Sequence, residues 1–378
     1  MDFNFTEDQI MIRDLARGIL EKEITPGRLR EVERGGEWFD RALWSTLAEA
    51  GLLGLVAPAD LGGMGFGFPE VCVLLQEIGR AVAPIPVLPT LVLGASVIAE
   101  FGTDAQKKEW LVPLVAGETV LTGALIDPGS SDTNKPATTA RGKGGGWVLE
   151  GEKRLVPAAG IARRVLVPAA TGDGVGIFLL DPRAGNVALT RQETSTGEPL
   201  FTLRLAGVRV EDHDLLGGDA RAGGEKARWM YERAVVATCA MQMGVSERAL
   251  EFTSSYVAER EQFGVPIGTF QAVQHRSADC YIDLEAMRWV MWRAVWKLCR
   301  GLPATRETMV AKFWAADGGS RIASAAQHLH GGIGADVDYH IHRYFLWSKS
   351  LELNLGAAMP QLALLGRDLA RTGPQEMT

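Results

Sequence analysis

Arg260, Phe263 and Gln271 mark the part of this chain richest in chemical content, the run Arg260-Glu261-Gln262-Phe263-Gly264-Val265-Pro266-Ile267-Gly268-Thr269-Phe270-Gln271. Arg260 and Phe263 stand three apart and would share one face at the end of a helix. Gly264 would stop that helix as a C-terminal glycine, and Pro266 because it has no N–H. Gln271 would then lie early in the next helix, with His275 on the same face one turn later. A guanidinium, an aromatic ring and a carboxamide around a helix break can hold a diphosphate, a base and a ribose. The ordinary alternative is a helix–turn–helix corner with a solvated arginine.

Two long helices must flank such a break, and the pattern supplies them. Helical periodicity covers 225–260, 270–300, 307–330 and about 339–371. Helices this long with short connections predict a four-helix bundle. Upstream, from about Leu121 to Gly218, short apolar alternations predict strands at 147–149, 164–167, 176–180 and 203–205, separated by glycine-rich turns. The chain opens helical. Thr6 followed by Gln9 is a capping-box pattern ahead of Ile10, Ile12, Leu15, Ile19 and Leu20. Further helices are expected over 41–50, 70–81, 90–101 and 106–111, the last broken by Pro113. The glycine-rich run Pro58 to Gly65 follows no clear strand and lacks Gly-Lys-Ser/Thr, so it reads as a connecting loop. An α+β fold follows: an N-terminal α-helical domain at 1–120, a middle β domain (small barrel or sandwich) at 121–221, and a C-terminal four-helix bundle at 222–378. No solenoid repeat is present.

Composition bounds the function. With 378 residues, two or three domains are expected. A net charge of −7 argues against nucleic acid or an anionic membrane as the main partner, while leaving room for an anionic small ligand held by local Arg and Lys. Cys72, Cys239, Cys280 and Cys299 form no C-x-x-C pair. A reducing compartment is therefore expected, with no disulfide frame and no structural metal site. The N-terminus has no basic region followed by an apolar run, and no window suffices to span a bilayer, so a cytoplasmic protein is expected.

Six short segments, in order, resemble the acyl-CoA dehydrogenase family. They are Phe5-Thr6-Glu7-Asp8-Gln9; Ala50-Gly51-Leu52-Leu53-Gly54 through Pro58 to Gly63-Met64-Gly65; and Gly102-Thr103-Asp104-Ala105-Gln106-Lys107. Then come Val208-Arg209-Val210 through Leu216-Gly217, the helix-break run, and Gln327-His328-Leu329-His330-Gly331-Gly332-Ile333-Gly334. The resemblance implies FAD as cofactor and an acyl-CoA thioester as substrate. A carboxylate removes the α-proton, and the β-hydrogen leaves as hydride to the flavin, giving a 2-enoyl-CoA. It also implies electron-transfer flavoprotein as electron acceptor. In this family the FAD lies across two subunits, one holding the isoalloxazine and its neighbour the ADP end. By resemblance, Arg260 binds the diphosphate, Phe263 packs on the adenosine, Gln271 hydrogen-bonds nearby, and Gln327, Gly331 and Gly332 line the diphosphate and adenine. The alternative for the last segment is a plain glycine stop at a helix end.

The isoalloxazine side departs from the family. Its "TEPxAGSD" loop reads Ile126-Asp127-Pro128-Gly129-Ser130-Ser131-Asp132 here, one residue short. After Gly151-Glu152-Lys153-Arg154, the aromatic ring over the flavin has become Leu155, and the hydroxyl and N–H near its N5 have become Pro157. The family's catalytic glutamate corresponds to Glu352, but the Gly-Thr that shapes its loop is missing. The segment 345–365 would serve equally as one uninterrupted helix with Glu352 an ordinary member. In relatives that carry the base elsewhere, the position is Ala234 here. Glu232 is two residues away and turned by roughly 200°.

Three functions fit this pattern. The chain would be one subunit of a heteromeric acyl-CoA dehydrogenase, resembling actinobacterial steroid-CoA subunits that form α₂β₂ heterotetramers, with the base on its partner. Alternatively it is a self-sufficient homotetramer using Glu352, or a non-catalytic binding or scaffold protein on the same fold. The C-terminal tryptophans Trp229, Trp289, Trp292, Trp296, Trp314 and Trp347 read as core or interface packing.

Overall fold

The structure is a computed structural model that describes residues 4–129 and 135–373. The chain divides into two compact units. One comprises Met1–Pro26, Cys72–Ala83 and Val235–Thr378, the other Gly27–Val71 and Pro84–Ala234. The secondary structure runs helix, sheet, helix, as the α+β expectation requires.

Local signals explain many of the element ends. Helix α1 (Glu7–Glu23) begins with the expected box: the Gln9 N–H donates to Thr6 Oγ1 at 3.2 Å, and the Thr6 N–H to Gln9 Oε1 at 3.1 Å. Helix α2 (Pro26–Gly35) was not anticipated; it is mostly polar and buries only Leu29. Helices α3 (Arg41–Glu49) and α4 (Phe68–Ala81) lie close to expectation. The expected helix at 90–101 is a fully buried π-helical segment, Leu88–Ala95, followed by α5 (Ser96–Phe101).

Helix α6 (Asp104–Val115) carries Pro113 inside it rather than breaking there. Only one hydrogen bond is lost, and it falls in the last turn. Its capping glutamine, Gln106, is buried and also donates to the carbonyls of His213 and Leu215 at 2.8 and 2.9 Å. The glycine-rich loop is tightly folded on itself. A Cβ at Gly63 would sit 2.0 Å from the Ala57 carbonyl oxygen.

Seven strands form one sheet: β1 (Leu121–Gly123), β2 (Thr139–Gly142), β3 (Gly146–Pro157), β4 (Arg164–Ala170), β5 (Val175–Leu180), β6 (Val187–Gln192) and β7 (Leu200–Glu211). Their order is β1-β4-β2-β3-β7-β6, with β5 paired to β4. The four expected strands fall within β3, β4, β5 and β7. The long antiparallel pair β3–β7 is interrupted between Lys153 and Val156. Leu155 sits in that irregularity with φ 52°.

Helices α7 (Gly223–Glu259), α8 (Gln271–Cys299), α9 (Thr305–His330), α10 (Ile341–Leu353) and α11 (Ala358–Thr372) follow. In the unit containing Val235–Thr378, α4 and α7 touch backbone to backbone. A Cβ on Gly79 would lie 2.1 Å from Met241 O, and one on Gly244 1.8 Å from Gln76 O. Beside this crossing Arg80 pairs with Glu247 at 3.0 Å and Glu251 at 2.8 Å. Among the described residues no helix is long and apolar enough to cross a membrane.

Candidate functional site: a clamp at the ends of three helices

Helix α7 ends at Glu259, four residues short of Phe263, so the helix face expected to carry Arg260 and Phe263 does not form. The next residues form a two-stranded hairpin, β8 (Glu261–Gln262) against β9 (Val265–Pro266). Its tip is Phe263-Gly264, with φ of 55° and 82°. Positive φ at both central residues is the turn that suits a two-residue hairpin. Arg260 and Phe263 are therefore placed by a hairpin and not by one helix face. The hairpin is tied at its base, where the Ile267 N–H donates to Arg260 O at 2.8 Å.

Phe263 is 95% exposed, its ring edge-on to Phe270 at 6.2 Å. A large aromatic side chain in a left-handed conformation, held in solvent, is costly twice over. The Arg260 side chain is exposed and makes no hydrogen bond or ion pair among the described residues. Gln271 is the exposed first residue of α8, and no side chain caps that helix N-terminus. The hairpin tip and the helix start thus offer a guanidinium, a ring, a carboxamide and unsatisfied N–H groups.

Helix α9 ends in the second half of the clamp. Gly331 has φ 66°, which only glycine adopts cheaply. Gly334 is fixed by packing, since a Cβ there would lie 2.4 Å from Gln327 O. Gly332 has neither constraint: its φ is ordinary and, among the described residues, nothing lies within 4 Å of where its Cβ would be. The Gln327 carboxamide turns back to its own loop, donating to Gly334 O at 3.4 Å, while His328 beside it is exposed.

Two residues missed by the sequence reading join the halves. Tyr256, one turn before Arg260, stacks on buried His330 at 4.4 Å, and its hydroxyl donates to the His330 carbonyl at 3.4 Å. The Arg260 N–H in turn donates to Tyr256 O at 2.8 Å. Burial lowers the His330 pKa, which keeps the ring neutral under its stacking partner. The signal was present in the positions: Tyr256 is one helical turn before Arg260, and His330 immediately precedes the glycines.

Glu352 does not join the clamp. It lies eleven residues beyond Ile341, the first residue of α10, about 16 Å along that helix. Its carboxylate pairs with Lys349 at 2.8 Å, and its carbonyl accepts from the buried Lys312 Nζ at 3.1 Å. The single helix envisaged over 345–365 is broken: α10 stops at Leu353 and α11 starts at Ala358. Leu355 and Gly356 have φ of 55° and 102°, and a continuous helix cannot pass through them. Ala234 is fully buried and Glu232 half-buried.

The departures on the flavin-ring side lie in the other unit. Ile126 and Arg154 bridge, with the Arg154 N–H donating to Ile126 O at 2.9 Å. Asp127 is held from three directions: Lys153 Nζ at 2.6 Å, and the Thr138 N–H and hydroxyl at 2.9 and 2.7 Å. Lys153 is fully buried, so Asp127 and Lys153 form a desolvated pair that fixes the start of the short loop. Ser130, Ser131 and Asp132 lie outside the described residues. Leu155 is 45% exposed, and Pro157 offers only its carbonyl, which accepts from Thr122 Oγ1 at 2.8 Å.

Comparison with known proteins identifies the family. Residues 6–118 match the acyl-CoA dehydrogenase N-terminal domain and residues 225–370 the acyl-CoA dehydrogenase C-terminal domain. The chain is 37% identical over 380 residues to acyl-CoA dehydrogenase FadE27 of Mycobacterium tuberculosis, covering 98% of this chain and 100% of that one. It superposes on a chain of the Tcur3481–Tcur3483 steroid ACAD with TM-score 0.90 and 44% identity, covering 98% and 99% of the two chains. For a chain of the ChsE4–ChsE5 complex from Mycobacterium tuberculosis the TM-score is 0.92 and the identity 37%, covering 98% and 100%. The chain belongs to the acyl-CoA dehydrogenase family.

Proposed function

We propose that this chain is one subunit of a heteromeric, FAD-dependent acyl-CoA dehydrogenase and supplies the ADP-binding half of the cofactor site. The observation that carries the proposal is an asymmetry between two half-sites. Among the described residues, on the ADP side the Arg260 side chain has no partner, Phe263 is 95% exposed, the α8 N-terminus has no side-chain cap, and nothing lies within 4 Å of a Cβ placed on Gly332. Each of these makes sense when a diphosphate and an adenosine occupy the space. On the flavin-ring side, Leu155 offers no aromatic face and Pro157 no N–H.

When bound, FAD supplies the acceptor for the hydride that leaves the β-carbon of the acyl-CoA. The contribution of this chain is binding and orientation. Arg260 and the first N–H groups of α8 would neutralise the diphosphate, Phe263 would cover the adenosine, and Gly331 and Gly332 would let the backbone approach closely. In this reading the α-proton is taken by a carboxylate on the partner subunit. The neighbours named as the Tcur3481–Tcur3483 steroid ACAD and the ChsE4–ChsE5 complex each pair two different names, which supports a second, different subunit, and the first supports a steroid-derived acyl-CoA; in this reading the assembly is α₂β₂. Electron-transfer flavoprotein is the expected electron acceptor.

The test is expression of the chain alone and together with candidate partner acyl-CoA dehydrogenase subunits from the same genome. The proposal expects stoichiometric flavin and acyl-CoA-driven flavin bleaching only in the co-expressed complex. Flavin bound stoichiometrically and reduced by substrate in the chain alone would overturn it. A second reading, a self-sufficient homotetramer with Glu352 as base, is favoured by one feature: the chain does turn sharply just after Glu352. Glu352→Gln separates the two, abolishing activity under the second reading and largely sparing it under the first.

A further inference from the structure

The unit that holds the sheet contains a cavity of about 250 Å³, remote in the chain from the clamp residues and serving none of the roles proposed above. Its walls come from the segment before α3, from the turn after β3, and from the chain entering β7. Three aromatic side chains, Trp38, Phe39 and Phe201, make up much of the lining. Trp38 is held in a left-handed conformation, φ 52°, and its indole N–H donates to Thr196 O at 3.1 Å. Backbone strain of this kind persists where surrounding structure enforces it. The volume lies just below the ~300 Å³ at which ligand pockets usually begin, so a compact ligand is the fit.

One polar group in this cavity has no counterpart. The Glu198 carboxyl makes no hydrogen bond or ion pair among the described residues, although it retains some exposure at the cavity wall. Desolvation alone pushes its pKa up to about 7, and no neighbouring charge offsets that. The other charged groups around the cavity are already matched. Glu37 pairs with Arg41, whose guanidinium lies over the Phe39 ring at 4.8 Å. Arg191 pairs with Glu193 at 3.0 Å and donates to Gly36 O at 3.0 Å. A lone carboxyl among aromatic rings lacks a cation, and aromatic faces favour an organic cation over a hydrated metal ion.

We infer that this cavity is a binding site for a compact organic ammonium ion, recognised by the Glu198 carboxylate and the rings of Trp38, Phe39 and Phe201. The site is independent of the flavin clamp, and its test needs no enzymatic activity. Calorimetric titration of the full chain uses benzyltrimethylammonium, whose charge does not vary with pH, and benzyl alcohol as a neutral analogue. Saturable binding of the cation at millimolar or lower concentration is expected, weakened at least about tenfold by Glu198→Gln. In the unsubstituted chain, affinity is expected to fall about tenfold per pH unit below 7 and to level off above it. The inference is overturned by the absence of saturable cation binding, by equal affinity for benzyl alcohol, or by a flat pH profile. The pH profile uses the natural chain, so the inference stays falsifiable even if the variant fails to fold.

Discussion

Replacing Arg260 by Gln separates a residue kept for a ligand from one kept for the fold. In this structure the Arg260 backbone is engaged, its N–H with Tyr256 O and its carbonyl with the Ile267 N–H, each at 2.8 Å. Its side chain is exposed and has no partner among the described residues. The substitution leaves both backbone bonds in place, so unfolding free energy should change by no more than about 0.5 kcal/mol. A guanidinium–diphosphate contact is a charge-assisted hydrogen bond worth roughly 1.5–3 kcal/mol, so FAD affinity of the assembled enzyme should fall about tenfold to a hundredfold. Denaturant unfolding of the chain gives the first quantity, and titration of the apo-complex with FAD the second. A loss of stability above about 1 kcal/mol, or an unchanged FAD affinity, would refute the assignment.

Other substitutions probe the same logic. Gly332→Ala should fold normally and weaken FAD binding, whereas Gly334→Ala should destabilise the chain by well over 1 kcal/mol, because its Cβ would meet Gln327 O at 2.4 Å. Lys153→Met removes the cation from the buried Asp127 and should cost about 3–5 kcal/mol, read as a lower denaturation midpoint. For Glu198 the folded-state pKa is raised from 4.5 to about 7. The folded chain therefore keeps a proton that the unfolded chain sheds, so this group lowers stability as pH rises from about 4.5 to 7, by up to ~3 kcal/mol. Glu198→Gln should remove that slope, making the variant relatively more stable at pH 8 than at pH 4.5. Equal differences between the two proteins at both pH values would contradict this burial.

Much of the architecture is carried by short-range information. Capping boxes at Thr6–Gln9 and Thr103–Gln106 locate two helix starts, because a side chain three residues away satisfies each exposed N–H. Alternating burial marks β3 and β7, whereas β4 and β5 are short apolar runs buried along nearly their whole length. Elements without such contrast escape notice. Helix α2 is polar nearly all round, β6 has no buried residue, and the π-helical segment is buried on every side, so none contrasts a buried face with an exposed one.

The sequence by itself determined the helix–sheet–helix order and the residue types of the candidate clamp, because these depend on neighbours a few positions apart. Only the tertiary structure decided how those residues are presented. Arg260 and Phe263 sit on a hairpin because the Phe263-Gly264 tip takes positive φ and residues 260–267 pair across it. The two halves of the clamp meet because Tyr256 stacks on His330, 74 residues away in the chain. Asp127 is fixed by Lys153, 26 residues away, as well as by Thr138 at the far end of its own loop, since a buried carboxylate favours a cation brought in by the packed chain. Such partnerships depend on which groups are desolvated together, and desolvation is a property of the packed chain.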